Sequence, residues 1–353
     1  IAPSGRPRIP NIPGLDKASY YTSDTLWQLT ELPKRLLIMG AGPIGCELGQ
    51  AFARLGSEVS IVDKGQFLMP REDEDVSTLV AEAMAIEGVK HIPGRTISQL
   101  KTVDDHYVAV LEGSAKGGSR ENGNSADNSE KIEFDALLLA IGREGNTQNL
   151  GLENVSLEVD RNGFLAVDEY LQTECPTIYA CGDVIGGYQF THVSAHEAWF
   201  ASVNSLFGRF KRFKADYRVI PWATFTSPEV ARVGLSEKEA KEQNIPYEST
   251  QYGLDDLDRA IVDDCATGFV RVLTVPGKDK ILGATIVGAR ADDLIATFVI
   301  GMKHNLGLNK VLGTIHAYPT YMEANKFVAG QWKRKQVSEK ILSLLNWYNR
   351  KRR

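Results

Sequence analysis

A glycine-rich hexapeptide is the clearest candidate for chemistry in this sequence. Residues 40–45 read Gly-Ala-Gly-Pro-Ile-Gly, which fits the spacing G-x-G-x-x-G, and they directly follow the apolar run 35–39. Gly40 permits a tight turn, Gly42 lets a phosphate approach the backbone, and Gly45 lets the next helix pack closely. Free N–H groups at the start of that helix attract phosphates. The pattern predicts a dinucleotide pyrophosphate site; a tight turn without a ligand is the alternative.

The residues around this turn complete the predicted site. Pro43 and Ile44 begin an amphipathic helix, and Asp63 ends the next strand, 18 residues after Gly45. A carboxylate at this spacing binds the adenine ribose hydroxyls of NAD. Because it also repels a 2′-phosphate, the sequence favours NADH over NADPH.

Periodicity predicts the elements that position the turn. A βαβ unit is followed by a second helix, a hairpin and an insertion rich in Gly, Ser, Asn and charge, which we interpret as a flexible surface loop. The sequence pattern changes to one of short strands and turns near residue 145, and the pattern changes again near Tyr217. The predicted elements are strand 35–39, helix 43–55, strand 59–62, helix 74–87, hairpin strands 107–111 and 131–134 around insertion 113–130, helix 192–208, helix 236–243, strands 269–275 and 281–287, and helices 291–304 and 319–330.

Composition excludes several classes of protein. The 353 residues are 43% hydrophobic with a net charge of −5, which argues against a nucleic-acid binder. No apolar run reaches the length of a membrane span. Four scattered cysteines, Cys46, Cys175, Cys181 and Cys265, do not form a disulfide scaffold, and no cluster predicts a metal site. We expect a cytoplasmic protein.

Further segments resemble the pyridine nucleotide-disulfide oxidoreductases, the family of dihydrolipoamide dehydrogenase, glutathione reductase and mercuric reductase. The order and spacing agree over essentially the whole chain. The matching segments are Gly45-Cys46-Glu47, the Gly142-Arg143 turn, the strand 177–183 (TIYACGD), the strand 222–234 (WATFTSPEVARVG) and the segment 316–323 (HAYPTYME).

The resemblance implies roles for these residues. Glu47 lies near the nicotinamide, Gly142 and Arg143 lie where the chain leaves the nicotinamide domain, and Gly182-Asp183 contacts FAD. From the residues alone, Asp183 is equally well a turn residue, and Arg143 is more simply a surface ion-pair partner.

Tyr318 departs from the family pattern. Dithiol-oxidising members have a proton-shuttling histidine before Pro-Thr, held by a glutamate that corresponds to Glu323. A phenol with a pKa near ~10 donates hydrogen bonds but rarely accepts a proton at neutral pH, whereas imidazole titrates near ~6.5. The substitution fits a metal-reducing or uncharacterised branch. His316, two residues upstream, is either a substitute base or a structural histidine at the dimer interface.

The resemblance also implies what lies outside this sequence. Family members begin with a flavin-binding βαβ unit and a redox-active Cys-x-x-x-x-Cys, and we expect this chain to enter the family pattern after both. The expected function is a homodimeric flavoprotein that passes hydride from NADH through FAD to a thiol, metal ion or quinone-like small-molecule acceptor. The alternative is a truncated module that binds NAD and dimerises without turnover.

The expected fold class is α/β, with Rossmann-like dinucleotide-binding domains followed by an α+β dimerisation domain. The tail 332–353 carries eight Lys and Arg residues and one acid, Glu339. We interpret it as a basic amphipathic helix that caps the domain, with docking on an anionic membrane as the weaker alternative. The expected divisions are 1–32, a remnant of the FAD-binding domain and connector; 33–145, NAD(P)-binding; 146–216, the later part of the FAD-binding domain; 217–331, dimerisation; and 332–353, the basic helix.

Overall fold

The computed structural model describes residues 1–103, 106–113, 130–337 and 339–352. They form two compact units. The first comprises Ile1–Pro70 and Ala81–Tyr217, and the second comprises Arg71–Val80 and Arg218–Arg353. The predicted flexible insertion at 113–130 lies almost entirely outside the described residues, so that prediction stays open.

The first unit contains two larger sheets and a short ribbon. Its elements are β1 (Gly5–Pro7), β2 (Tyr20–Thr22), β3 (Arg35–Met39), α1 (Pro43–Leu55), β4 (Glu58–Asp63), α2 (Glu74–Ile86, whose first residues group with the second unit), β5 (Lys90–Pro93), β6 (Thr96–Val103), β7 (His106–Glu112), β8 (Glu130–Phe134), β9 (Ala136–Leu139), β10 (Arg143–Gly145) and α3 (Thr191–Phe207). A five-stranded parallel sheet has the order β2-β9-β3-β4-β5; β6-β7-β8 is antiparallel, and β1 pairs with β10.

Local periodicity predicts most of this unit correctly. The βαβ unit of β3, α1 and β4 is confirmed, as is the hairpin, in which Tyr107 pairs with Phe134. The continuous apolar runs of β3 and β9 arise because a parallel sheet is buried on both faces. Strand β2 was not predicted: the segment 1–32, expected to be a connector, contributes Tyr20–Thr22 to the parallel sheet, where Tyr20 pairs with Leu137.

The second unit is an antiparallel sheet with helices. The elements are β11 (Pro221–Thr224), β12 (Glu229–Gly234), α4 (Glu237–Glu242), β13 (Glu248–Gly253), α5 (Asp258–Val262), β14 (Phe269–Thr274), β15 (Ile281–Gly288), α6 (Ala291–Leu294), α7 (Ala296–Lys303), α8 (Leu308–Leu312), α9 (Glu323–Lys335) and α10 (Glu339–Lys351). The strand order of the sheet is β11-β12-β15-β14-β13. The apolar side chains of Phe298, Val328 and Trp332 lie in the buried core of this unit.

Two predicted helix boundaries are wrong in this unit. The helix expected from residue 319 begins only at Glu323, whose carboxylate accepts a hydrogen bond from the Thr320 N–H in the segment before α9. The tail expected as one helix from Trp332 is divided, because Trp332 is buried in the core as part of α9 and α10 begins only at Glu339. No helix within the described ranges combines the length and apolar character needed to cross a membrane.

Candidate functional site

The glycine-rich turn has the geometry that its spacing predicts. Gly40 has a φ of +111°, and a Cβ there would lie 2.4 Å from the carbonyl oxygen of Ala140. A Cβ on Gly45 would lie 2.0 Å from the Gly40 oxygen. Gly42 differs, because a Cβ built there would meet no atom of the described residues within 4 Å beyond its chain neighbours. The open space therefore lies above Gly42, at the start of α1.

The start of α1 leaves backbone donors for a ligand. Gly42 is the N-cap residue and provides no side-chain cap, while Pro43 occupies the first turn, where its missing N–H costs nothing. Ile44 follows in the same turn, half-buried. The amino end of a 13-residue helix thus presents N–H groups and the positive end of the helix dipole to the space above Gly42.

Asp63 lies beside this turn at the end of β4. One carboxylate oxygen accepts a hydrogen bond from the Ala41 N–H at 3.0 Å, and the other accepts one from the Gly65 N–H at 2.6 Å. The carboxylate is therefore fixed against the glycine turn, and its two contacts leave further lone pairs for a ribose hydroxyl.

Two neighbouring residues of α1 have different environments. Glu47 is half-buried one turn into the helix. Cys46 is fully buried, and burial raises the pKa of its thiol to about 12, so it is a packing residue and not a nucleophile. All four cysteines are free thiols.

A second group of predicted residues meets where β1 pairs with β10. The Arg143 guanidinium donates to the Gly5 carbonyl at 2.5 Å, and its Nε lies 3.5 Å from the Asp183 carboxylate. A Cβ on Gly5 would lie 3.0 Å from the Glu144 carbonyl oxygen and 3.1 Å from the Asp183 Cβ, so a larger residue would require these neighbours to shift. Gly142, with a φ of +106°, makes the bend before β10. The structure thus brings Gly142, Arg143 and Asp183 together and adds Gly5, which sequence reasoning missed.

Some buried nitrogen atoms of the first unit have no hydrogen-bond partner within the part of the chain that the structure describes. They include the Nε of Arg143, which faces the Asp183 carboxylate at 3.5 Å, the Nε2 of Gln189 and the Nε2 of His196. Buried polar atoms are normally satisfied, so these three atoms are candidates for contact with a bound ligand. No sequence signal identifies Gln189 or His196.

The third predicted group lies in the second unit. Tyr318 is 70% exposed, and its hydroxyl donates to the Asp258 carboxylate at 2.8 Å, which raises the pKa of the phenol. His316 is exposed, with Nδ1 3.0 Å from the Thr314 carbonyl oxygen. Glu323 accepts from the Thr320 N–H at 3.3 Å, so the tyrosine and the glutamate have different partners. Asp258, on α5, was not predicted because nothing in its local sequence connects it to a residue 60 positions away.

No group of three His, Cys, Asp or Glu residues among those described is arranged to hold a metal ion.

Comparison with known proteins gives two family matches. Residues 1–198 match the model of the pyridine nucleotide-disulphide oxidoreductases, and residues 220–328 match the dimerisation domain of the same group. A mercuric reductase from Lysinibacillus sphaericus is 36% identical over 93% of this chain and 58% of its own length. A dihydrolipoyl dehydrogenase from Chlamydia muridarum is 30% identical over 92% of this chain and 66% of its own length.

Comparison with solved structures leads to the same family. The flavoprotein disulfide reductase RclA from Escherichia coli, described as HOCl-induced, superposes with a TM-score of 0.82 at 27% identity, covering 93% of this chain and 72% of RclA. The chain spans 58% of the length of the mercuric reductase that it matches.

Proposed function

Because the chain belongs to the pyridine nucleotide-disulphide oxidoreductases, we propose that it takes part in hydride transfer from NADH, through FAD, to a small-molecule acceptor. The observation that carries this proposal is the glycine turn. Gly40 and Gly45 are closely packed against backbone, whereas Gly42 borders open space at the amino end of α1. A pyrophosphate placed in that space would accept hydrogen bonds from the first turn of the helix.

Asp63 supports NADH as the preferred nucleotide. Its carboxylate is held beside the turn by the N–H groups of Ala41 and Gly65, where it can accept hydrogen bonds from ribose hydroxyls. A 2′-phosphate in the same place would meet a fixed negative charge. Glu47, in α1, is proposed to orient the nicotinamide.

Residues around Arg143 would hold FAD. When bound, FAD accepts a hydride and passes its electrons on singly or in pairs. The Arg143 guanidinium would bind the anionic phosphate region, and Asp183 would accept hydrogen bonds from ribityl hydroxyls. Gly5 allows the chain to pass close enough to Asp183 for the site to form.

The acceptor side is proposed to use the second unit in a homodimer, as the match to a dimerisation domain supports. Tyr318 would exchange its hydrogen bond to Asp258 for one to the acceptor or to a thiolate, and Glu323 and His316 would complete that site. The names of the relatives, mercuric reductase and dihydrolipoyl dehydrogenase, make metal ions and thiols the first acceptors to test, and quinones the next.

The first test is an anaerobic NADH titration of the full-length protein, followed by visible absorption. A long-wavelength thiolate-to-flavin charge-transfer band after two electrons is the expected result. Bleaching of the flavin without that band would exclude a redox disulfide and direct the search to quinones and oxygen. A full-length protein without flavin absorption would contradict the proposal and favour a module that binds NAD and dimerises without turnover.

Asp63→Asn tests the nucleotide preference. The amide keeps one acceptor oxygen beside the turn but removes the charge, so we expect the KM for NADH to rise and the preference over NADPH to narrow. A wild-type protein that prefers NADPH, or an unchanged KM ratio in the variant, would contradict the assignment of Asp63.

A further inference from the structure

The turn that carries Asp183 has an unusual backbone. Gly182 has φ 79° and ψ −162°, and Gly186 has φ 73° and ψ −148°; a single 3-10 turn, Asp183–Ile185, lies between them. These conformations are open to glycine and strongly disfavoured for other residues. Such a turn persists only where its surroundings hold it in place.

Glu197, on the buried face of α3, contacts this peptide directly. Glu197 is only 2% exposed, and its Oε2 accepts a hydrogen bond from the Gly182 N–H at 2.7 Å. The other oxygen, Oε1, accepts a hydrogen bond from the Tyr217 hydroxyl at 2.8 Å. Both donors are neutral, and burial raises the pKa of the Glu197 carboxyl. A buried carboxylate without a cationic hydrogen-bond partner lowers the stability of the fold, so a functional role would explain why a glutamate occupies this position.

The geometry favours a role in the flavin site over simple core packing. The N–H that donates to Glu197 belongs to the Cys181–Gly182 peptide, so the bond fixes the chain at the glycine that immediately precedes Asp183. Asp183 in turn lies 3.5 Å from the Nε of Arg143 and against Gly5. An apolar residue at position 197 could fill the same volume, but it would leave the Gly182 N–H without its acceptor.

We propose that Glu197, itself oriented by Tyr217, is a positioning residue that fixes the Gly182–Asp183 turn in the conformation that binds FAD. This inference rests on the proposed flavin-dependent function. It concerns α3 and the end of the first unit, since Tyr217 is the last residue of that unit.

The test measures FAD dissociation from the purified full-length holoenzyme, using recovery of flavin fluorescence on dilution. Glu197→Ala leaves a buried N–H without an acceptor, so we expect the FAD dissociation constant to rise about 10-fold or more. Glu197→Gln keeps an oxygen for the Gly182 N–H and an amide that can donate to the Tyr217 oxygen. It should restore most of the affinity, with a rise of about 3-fold. Tyr217→Phe removes one hydrogen bond and should also cost about 3-fold.

Glu72→Gln is the matched control. Glu72 is likewise a buried glutamate, but it lies in the second unit, where it pairs with Arg232. This variant should lower the thermal unfolding temperature without changing FAD dissociation.

The outcomes separate the two proposals. A wild-type protein that binds no FAD would contradict the proposed function itself. A wild type that binds FAD, with unchanged affinity in Glu197→Ala, would overturn the positioning role alone. Equal losses of FAD in Glu72→Gln and Glu197→Ala would also overturn it, because the effect would then follow general stability.

Discussion

Replacing Gly42 by alanine separates binding of the nucleotide from folding of the turn. A methyl group at this position meets no atom of the described residues within 4 Å beyond the chain neighbours, so the protein itself has room for it. The backbone φ of −75° is also open to alanine. The added carbon would nevertheless occupy the space in which we place the pyrophosphate, directly above the first turn of α1.

The magnitude follows from the hydrogen bonds that the methyl group would displace. A hydrogen bond to a charged group contributes about 1.5–3 kcal/mol, so losing one phosphate contact weakens NADH binding about 10- to 150-fold. The cost to folding is smaller, because exchanging glycine for alanine at an N-cap changes helix stability by about 1 kcal/mol. NADH affinity measured by fluorescence titration, together with thermal unfolding, reads out both quantities.

Two further glycine-to-alanine variants serve as controls for this experiment. Gly45→Ala places a carbon 2.0 Å from the Gly40 oxygen and should destabilise the first unit outright. Gly330→Ala, inside α9, meets only ordinary contact at 3.7 Å and should leave NADH binding unchanged while slightly raising stability. If Gly42→Ala binds NADH as tightly as wild type, the pyrophosphate does not lie above Gly42 and our reading of the turn is wrong.

Three other predictions use different residues. Tyr318→Phe should lower acceptor turnover without changing the reduction of bound flavin by NADH in stopped-flow absorption; equal losses in both would remove Tyr318 from the acceptor side. Arg232→Ala should cost about 3–5 kcal/mol of unfolding free energy, measured by denaturant titration, since it leaves Glu72 buried without its cation. For Glu197, burial raises the folded-state pKa above its ordinary 4.5, so its contribution to stability declines as pH rises through that range. The stability of Glu197→Gln relative to wild type should therefore increase from pH 4 to pH 7; a difference independent of pH would contradict the raised pKa.

Local features of the sequence predicted the nucleotide turn well. The roles of Gly40, Gly42 and Gly45 depend on backbone conformation and on contacts within one βαβ unit, so a short window contains the necessary information. Helix α1 was predicted with its exact ends for the same reason, because the glycine turn begins it and Gly56, in the left-handed region, ends it.

Contacts between distant segments were not predictable in this way. Strand β2 is three residues long and shows no alternation, and only its pairing with β9 makes it a strand. Tyr318 was singled out from a family pattern, but its partner Asp258 follows from the packing of α5 against the 316–323 segment. Glu197 lies in the predicted helix 192–208, but nothing in its local sequence connects it to the Gly182 N–H that it accepts from.

The charged run at residues 71–75 illustrates the limit most clearly. Nothing in the local sequence distinguishes this charged run from a solvated surface segment, yet the structure buries part of it in the second unit. Arg232, 1% exposed, forms ion pairs with Glu72 and Glu239, while Arg271 forms one with Asp73. Because Arg232 and Arg271 lie about 160 to 200 residues from Glu72 and Asp73, no local window contains these two pairs. A buried arginine needs several carboxylate oxygens to offset its desolvation, and the 71–75 segment supplies them. The second unit therefore takes ten residues from the middle of the nucleotide-binding region, and no single cut in the sequence separates the two units.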